Sequence, residues 1–349
     1  MNLTGLLCKK YEMTLSSLSL ILLPAIEDAL RAAVAVADGD RLGELYTMLA
    51  YHMGWQGEGS GPKATGKRIR PLLLLINCEA AGGSWQAALP AAVAVELVHN
   101  FSLIHDDIED DSPLRRGRTT VWKKWGVAQA LNAGDAMFAL AHLAILRLEA
   151  TTSVATTLKA ANILEETCLK LTQGQYLDIS YENRGDLTLE AYWPMVSRKT
   201  AALLSTCSEL GALVAGVSEA RQSCFSQFGH SLGLAFQAQD DLLGVWGNAA
   251  LTGKSAESDL LTGKKSLPVL YGLGLDGPFA RRWREGPVQA EEVADLARQL
   301  EAEGAHGYTQ ETVDHLTRQA LEYLDEAGPQ GEAGEALREL ALMLVNRKG

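Results

Sequence analysis

The sequence predicts an all-α protein, and three observations carry that prediction. Aromatic residues make up only 6% of the 349-residue chain, alanine and leucine dominate its apolar content, and no stretch shows the alternation of a half-buried strand. Apolar residues recur instead at spacings of three and four along most of its length. A first helix is placed over 15–26. Its apolar run follows Lys9 and Lys10 as in a leader peptide, but it holds Pro24 and continues into Glu27, Asp28 and Arg31 at helical spacing. Further helices are placed over 30–51, 72–81, 87–108, 128–150, 154–178, 188–217, 220–245 and 267–274. The intervening loops, at 54–66, 82–84, 112–120, 183–186, 247–263 and 276–287, are too short for interdomain linkers. From Val288 the chain is helical and acidic, with Glu291, Glu292 and Asp295 on a solvated face. A single domain over 1–349 is expected, its informative core at 66–268 and its acidic C-terminal helices at 276–349.

Composition excludes several classes. Acidic residues number 43 against 31 Lys plus Arg, a formal charge of −12, so no nucleic-acid partner is expected and anionic ligands must be met by local basic clusters. Cysteines at 8, 78, 168, 207 and 224 are odd in number and form no CxxC pair, which suits a reducing cytoplasmic location. No uninterrupted apolar run approaches the roughly 18 to 20 residues of a membrane span, so none is expected.

The most informative stretch, H-N-F-S-L-I-H-D-D-I-E-D-D at 99–111, ends an apolar helix in a block of acid. Asp106 and Asp110 are one turn apart and share a face, with Asp107 beside them. Acids at a helix C-terminus oppose the macrodipole, and crowded carboxylates repel until a cation neutralises them, so the cluster suits a hard ion such as Mg²⁺. Arg115-Arg116-Gly117-Arg118 follows, and Gly66-Lys67-Arg68-Ile69-Arg70-Pro71 opens an earlier helix after a glycine-rich loop. Each is a compact phosphate-binding candidate in an acidic protein. The pattern recurs at F-Q-A-Q-D-D-L-L-G-V-W, 236–246, where Asp240 and Asp241 precede Lys254 and the G-K-K-S-L-P of 263–268. Two carboxylate sets, each followed by basic groups, are what Mg²⁺ bridging protein to a diphosphate requires.

These segments, with G-Q at 174–175 and K-T at 199–200, stand in an order that closely resembles the trans-isoprenyl diphosphate synthases of the polyprenyl synthetase family. The resemblance implies a single large helical bundle around a deep central cavity, usually a homodimer, that condenses isopentenyl diphosphate with an allylic diphosphate. It implies that Lys67, Arg70, His99 and Arg116 hold isopentenyl diphosphate, and that Asp106, Asp107, Asp110, Asp240 and Asp241 bind three Mg²⁺ ions on the allylic diphosphate. Arg115, Lys199, Lys254 and Lys264 would contact that diphosphate, and Thr200 and Gln237 would line the pocket where positive charge develops. His105, next to Asp106, is either a support for a carboxylate or a packed helix residue, and His52, His142, His230, His306 and His315 read as structural.

Two features qualify the resemblance. The second acidic segment is commonly D-D-x-x-D in the family, but Gly244 stands at its last position, with Asp259 nearby in sequence. That keeps open a non-catalytic regulatory subunit, which the intact Asp106, Asp107 and Asp110 oppose. A class I terpene cyclase would share the fold but would not need Lys67, Arg70 and Arg116. Chain length in the family is floored by the residues four and five before the first aspartate, here Ser102 and Phe101. A small residue followed by a bulky ring resembles geranylgeranyl diphosphate synthases and gives a C20 product, with farnesyl or longer products as alternatives.

Overall fold

The computed structural model describes residues 3–39, 42–247 and 258–346. In chain order the first elements are α1 (Leu3–Val34), α2 (Gly43–His52), α3 (Pro62–Thr65), α4 (Ile69–Ala80) and α5 (Trp85–Glu109). A two-residue ladder follows, β1 (Leu114–Arg115) with β2 (Arg118–Thr119), then α6 (Val121–Trp125), α7 (Val127–Leu146) and α8 (Val154–Tyr181). Next come α9 (Leu189–Val196), α10 (Ala202–Val214) and α11 (Glu219–Trp246), and six shorter or C-terminal helices from Ser258–Thr262 to Gly331–Val345. The fold is all-α, as the apolar spacing predicts, with that one ladder as the sheet among the described residues.

The chain gathers into two compact units, one of Met1–Glu165, Cys207–Gln222 and Pro329–Leu337, the other of Glu166–Thr206, Ser223–Gly328 and Arg338–Gly349. In the first, α5 packs along α4 and α7. Leu72 to Ile76 of α4 are buried without interruption, so this helix is enclosed on all sides. Each leucine so buried contributes roughly 1.5–3 kcal/mol to holding α4 in this unit. The second has its own core of Val245, Leu260, Val269, Phe279, Leu296 and Leu300.

Four expectations change. The helix placed over 15–26 runs from Leu3 through Pro24 to Val34, since one proline removes a single intrahelical hydrogen bond from a segment otherwise held by packing. The helix placed over 30–51 is split, because a 3-10 turn at Ala35–Ala37 and an extended Asp38 end α1 before α2 begins. The helix placed over 188–217 carries a π-turn at Ser197–Ala201, where α9 passes into α10. Finally, Trp85–Glu109 and Val127–Ala150 are long and apolar enough on average to cross a bilayer. Single polar residues such as Glu96 interrupt the apolar run in α5, and the most apolar windows of the two stretches are 61% and 44% buried within the protein.

Candidate active site

In the first unit the site grows from the end of α5. The helix presents apolar residues to the core as far as Ile104 and then turns acidic. The Asp110 N–H donates to the Asp106 carbonyl at 2.9 Å, so the helical register persists through the last turn and both carboxylates stay on one side. Asp106 is half-buried and Asp110 exposed. Asp107 behaves differently: it is 1% exposed and its Oδ1 accepts from Arg115 Nε at 2.7 Å. Burial lifts the Asp107 carboxyl above the usual aspartate range, and Arg115 offsets part of that rise. Asp107, expected among the metal ligands, is therefore engaged in fixing Arg115.

Arg115 can be held this way because R-R-G-R forms a tight hairpin. Arg116 and Gly117 both have positive φ, 53° and 74°, as a two-residue turn between right-twisted strands requires, and Arg115 pairs with Arg118 across it. Arg116 Nη1 donates to the Ala64 carbonyl at 2.8 Å, and its guanidinium lies 2.7 Å from where a Cβ on Gly66 would stand. The glycine of G-K-R-I-R-P thus makes room for an arginine 50 residues later. Arg118 is a brace, donating to the carbonyls of Tyr51, Gln56 and Glu58 at 2.6, 2.7 and 2.9 Å. Arg68 is likewise structural, buried and paired with Glu27 at 2.5 Å and Glu96 at 2.8 Å. Lys67 beside it is exposed.

Arg70 Nη1 lies 3.1 Å from His99 Nε2. Arginine keeps its protons, so Nε2 is the acceptor and the ring is neutral. Burial, then the charges of Arg70, Arg116 and Arg115, hold the His99 pKa well below the ordinary histidine value. His52, read from sequence as structural, lines a cavity of about 20 Å³, room for one water, with Asp107, Arg115 and Arg116. Its pKa is lowered by burial and then by Arg115, Arg116 and Arg68. His105 is a packed helix residue: its ring stands edge-on to Phe101 at 5.0 Å, and its Nε2 lies 3.3 Å from the Leu131 carbonyl. Phe101 also packs against Phe138 at 4.9 Å, and Ser102 donates to the His99 carbonyl at 2.9 Å.

In the second unit Lys199 and Thr200 lie on the π-turn. Such turns widen the helix and re-aim its side chains. A Cβ on Gly174 would stand 2.3 Å from the Lys199 backbone nitrogen, so only glycine lets α8 lie against this turn. Lys199 is ion-paired with Asp178, one turn beyond Gly174. Thr200 donates to Gln237 Oε1 at 2.8 Å, and Gln237 Nε2 donates to Asp241 Oδ1 at 2.9 Å. Asp241 is 1% exposed and also accepts from Tyr192 OH at 2.8 Å and the Leu267 N–H at 2.9 Å, with Lys264 Nζ 3.7 Å away.

Asp241 too is therefore an anchor, whereas Asp240 beside it is exposed. The Lys264 side chain is 45% exposed, and partial burial alone would lower its pKa. Asp241, Asp259, Asp178 and Asp240 more than offset that and hold it above the ordinary lysine value. Tyr192 and Asp178 are not among the residues the sequence singles out, whereas Asp259, noted beside Gly244, carries no assigned role there. Helical spacing from Gly174 could have flagged Asp178, but nothing local marks Tyr192. Lys254 lies outside the described residues.

Among the described residues no three His, Cys, Asp or Glu side chains are gathered around a single metal position. Each unit still offers hard oxygen donors of its own to a divalent ion that brings further oxygens from its ligand: in the first, Asp106 and Asp110 share a face of α5, and in the second, Asp240 is exposed.

The family model for polyprenyl synthetases matches residues 61–298. The chain is 38% identical over 311 residues to the (2E,6E)-farnesyl diphosphate synthase of Mycobacterium bovis, covering 86% of each chain. It is 42% identical over 231 residues to a geranylgeranyl diphosphate synthase of Mycobacterium tuberculosis, covering 66% of this chain and 65% of the relative. The fold matches the polyprenyl synthetase of Streptomyces coelicolor A3(2) with TM-score 0.83 and 36% identity, over 96% of this chain and 99% of the other. Matched by the family model over 61–298 and by relatives over most of its length, the chain belongs to the polyprenyl synthetase family and is a trans-prenyltransferase.

Proposed function

We propose that the chain condenses isopentenyl diphosphate with dimethylallyl, geranyl or farnesyl diphosphate to give geranylgeranyl diphosphate. One observation carries this reading: in both acidic pairs the second aspartate is buried beside a cation, Asp107 hydrogen-bonded to Arg115 at 2.7 Å and Asp241 3.7 Å from Lys264. The first stays more accessible, together with Asp110. Such pairs hold basic groups rigid and leave carboxylate oxygens for metal. Asp106, Asp110 and Asp240 would hold Mg²⁺, three ions as in the family, and bound Mg²⁺ would neutralise the departing diphosphate.

Arg115, Lys199 and Lys264 would orient that diphosphate, Lys254 would assist, and Lys67, Arg70, His99 and Arg116 would bind isopentenyl diphosphate. The allylic C–O bond ionises, the alkene of isopentenyl diphosphate attacks the cation, and a proton is lost to the released diphosphate. Positive charge developing near Thr200 and Gln237 meets the oxygen dipoles of a network pinned by Asp241, already oriented before reaction. No strong protein base is needed.

Phe101, backed by Phe138, supports a C20 limit, since two packed rings resist a lengthening chain better than one. On α7, Val127, Leu131, Leu143 and Leu146 are 44–51% exposed, which supports a homodimer covering them. The whole chain is read as one catalytic domain located in the cytoplasm. Labelled isopentenyl diphosphate, incubated with each primer and with Mg²⁺ or EDTA, tests the reading by chromatography of the dephosphorylated products. A Mg²⁺-dependent C20 alcohol is expected; a C15 or C25 alcohol would remove the length assignment, and no condensation from folded protein would remove the reaction.

A further inference from the structure

A cavity of about 680 Å³ opens in the second unit between α9 with its π-turn, α11 and the helix Ala305–Ala327. That volume falls in the range of roughly 300–1,000 Å³ of small-ligand pockets. None of the residues assigned above to metal or diphosphate lines it. The π-turn is divided accordingly: Ser197 and Arg198 line the cavity, whereas Lys199 pairs with Asp178 and Thr200 donates to Gln237. Trp193, Pro194, Leu234, Tyr308 and Leu316 supply apolar walls. Two of these rings are held by neighbours, Trp193 edge-on to Tyr192 at 5.0 Å and Tyr308 stacked on Tyr271 at 4.5 Å, so the walls are set before any ligand arrives.

Arg198 gives this cavity its chemistry. The side chain is half-buried and fixed in place, Nη1 donating to the Pro194 carbonyl at 3.0 Å and Nε to Gln173 Oε1 at 3.3 Å. Both acceptors are neutral, and in a chain of formal charge −12 no carboxylate among the described residues is ion-paired with this guanidinium. Glu311, the acid that lines the cavity, is exposed and makes no ion pair with it. Ser197 Oγ and His230 Nε2, 2.8 Å apart, are further polar groups on the lining. Burial, then the charge of Lys170, lowers the His230 pKa below the ordinary histidine value, so Arg198 is the cation of this wall. A positioned guanidinium that lacks a counter-charge, set among apolar walls, favours an anion with an apolar body. We propose that the cavity binds an amphiphile, an apolar chain with one anionic head, the head on Arg198 and the chain against Trp193, Leu234 and Tyr308. A fatty carboxylate and a prenyl diphosphate share that chemistry. The site is independent of the condensation described above, since none of its residues takes part in it.

The test is isothermal titration of the full chain in EDTA, which suppresses metal-dependent binding, with sodium oleate below its micelle concentration and separately with geranylgeranyl diphosphate. At least one of the two is expected to bind once per chain, and the tighter names the source of the ligand. R198Q removes the charge and keeps a polar side chain; it is expected to weaken that binding about ten-fold with the melting temperature nearly unchanged. T312W fills the cavity from the helix Ala305–Ala327 and should abolish binding. The matching alcohols, oleyl alcohol and geranylgeraniol, keep the chain without the charge and should bind wild type about ten-fold more weakly than the anions. A folded R198Q or T312W protein that titrates like wild type would overturn the proposal, because the ligand would then sit elsewhere. Equal binding of alcohol and anion would overturn it too, as would the absence of binding by either anion.

Discussion

The phenol of Tyr192 donates to Asp241 Oδ2 at 2.8 Å, and both side chains are almost wholly buried. Burial, then Asp241 itself, holds the Tyr192 hydroxyl well above the ordinary tyrosine pKa, so it stays a donor at every physiological pH. The other Asp241 partners are Gln237, the Leu267 N–H and Lys264, which makes this carboxylate the knot joining α9, α11 and the start of the helix Leu267–Gly274. Asp241→Ala would leave Tyr192 and the Leu267 N–H buried without an acceptor. A loss of about 3 kcal/mol in urea unfolding is expected, against a much smaller loss for Asp240→Ala at the exposed neighbour. Equal losses would remove the distinction between anchor and ligand.

Gly174 is the contact through which α8 approaches the Lys199 turn. Gly174→Ala must push that turn away, and displacement of a positioned group by about 1 Å costs on the order of 10²-fold in rate. Steady-state kinetics should show kcat reduced by that order with helical circular dichroism unchanged. An undiminished kcat would mean that the placement of Lys199 is not critical.

His99 and His52 are half-buried, and partial burial and the neighbouring arginines hold their pKa values below 6.5 in the folded chain; they return to about 6.5 on unfolding. The unfolded state therefore binds more protons, and these residues' contribution to stability is complete above pH 6.5 and lost as pH falls below it. For His99 alone the slope approaches about 1.4 kcal/mol per pH unit. Urea midpoints taken between pH 7.5 and 5.5 should fall for wild type and fall less for His99→Gln, which keeps an acceptor for Arg70. Parallel curves would show that His99 is not held as a neutral ring.

Phe101 packs on Phe138 and His105. Phe101→Ala removes most of that wall, and the product is expected to shift from C20 to C25 and longer, read by chromatography of dephosphorylated products. Phe138→Ala should move the distribution the same way but less, since Phe138 only backs the ring. If F101A still stops at C20, another residue floors the cavity.

The helices were legible because apolar spacing survives any tertiary arrangement, and the acidic and basic segments were legible because each lies within a few consecutive residues. Breaks in the helices were not. The π-turn at Ser197–Ala201 and the division before α2 are decided by packing against other elements, and the two-residue ladder at Leu114–Thr119 is too short to leave a pattern. Averaged hydropathy over α5 also differs from its uninterrupted run, because Glu96 and Asn100 are buried polar residues within an apolar helix.

By itself the sequence determined the chemistry of this protein. Carboxylates one turn apart, forked arginines and lysines stand in a fixed order along the chain, and that order, local and covalent, is what marks it as a trans-prenyltransferase of the polyprenyl synthetase family. Only the tertiary structure decided which member of each acidic pair would be spent as an anchor. Asp107 and Asp106 are chemically identical, as are Asp241 and Asp240, and what separates them is burial against Arg115 or Tyr192. It also decided that a side chain at Gly244 has no room, because Asp259, fifteen positions along the chain, lies against the place its Cβ would take. Spacing along one helix reports its faces, whereas the filling of a gap depends on volumes brought together by folding.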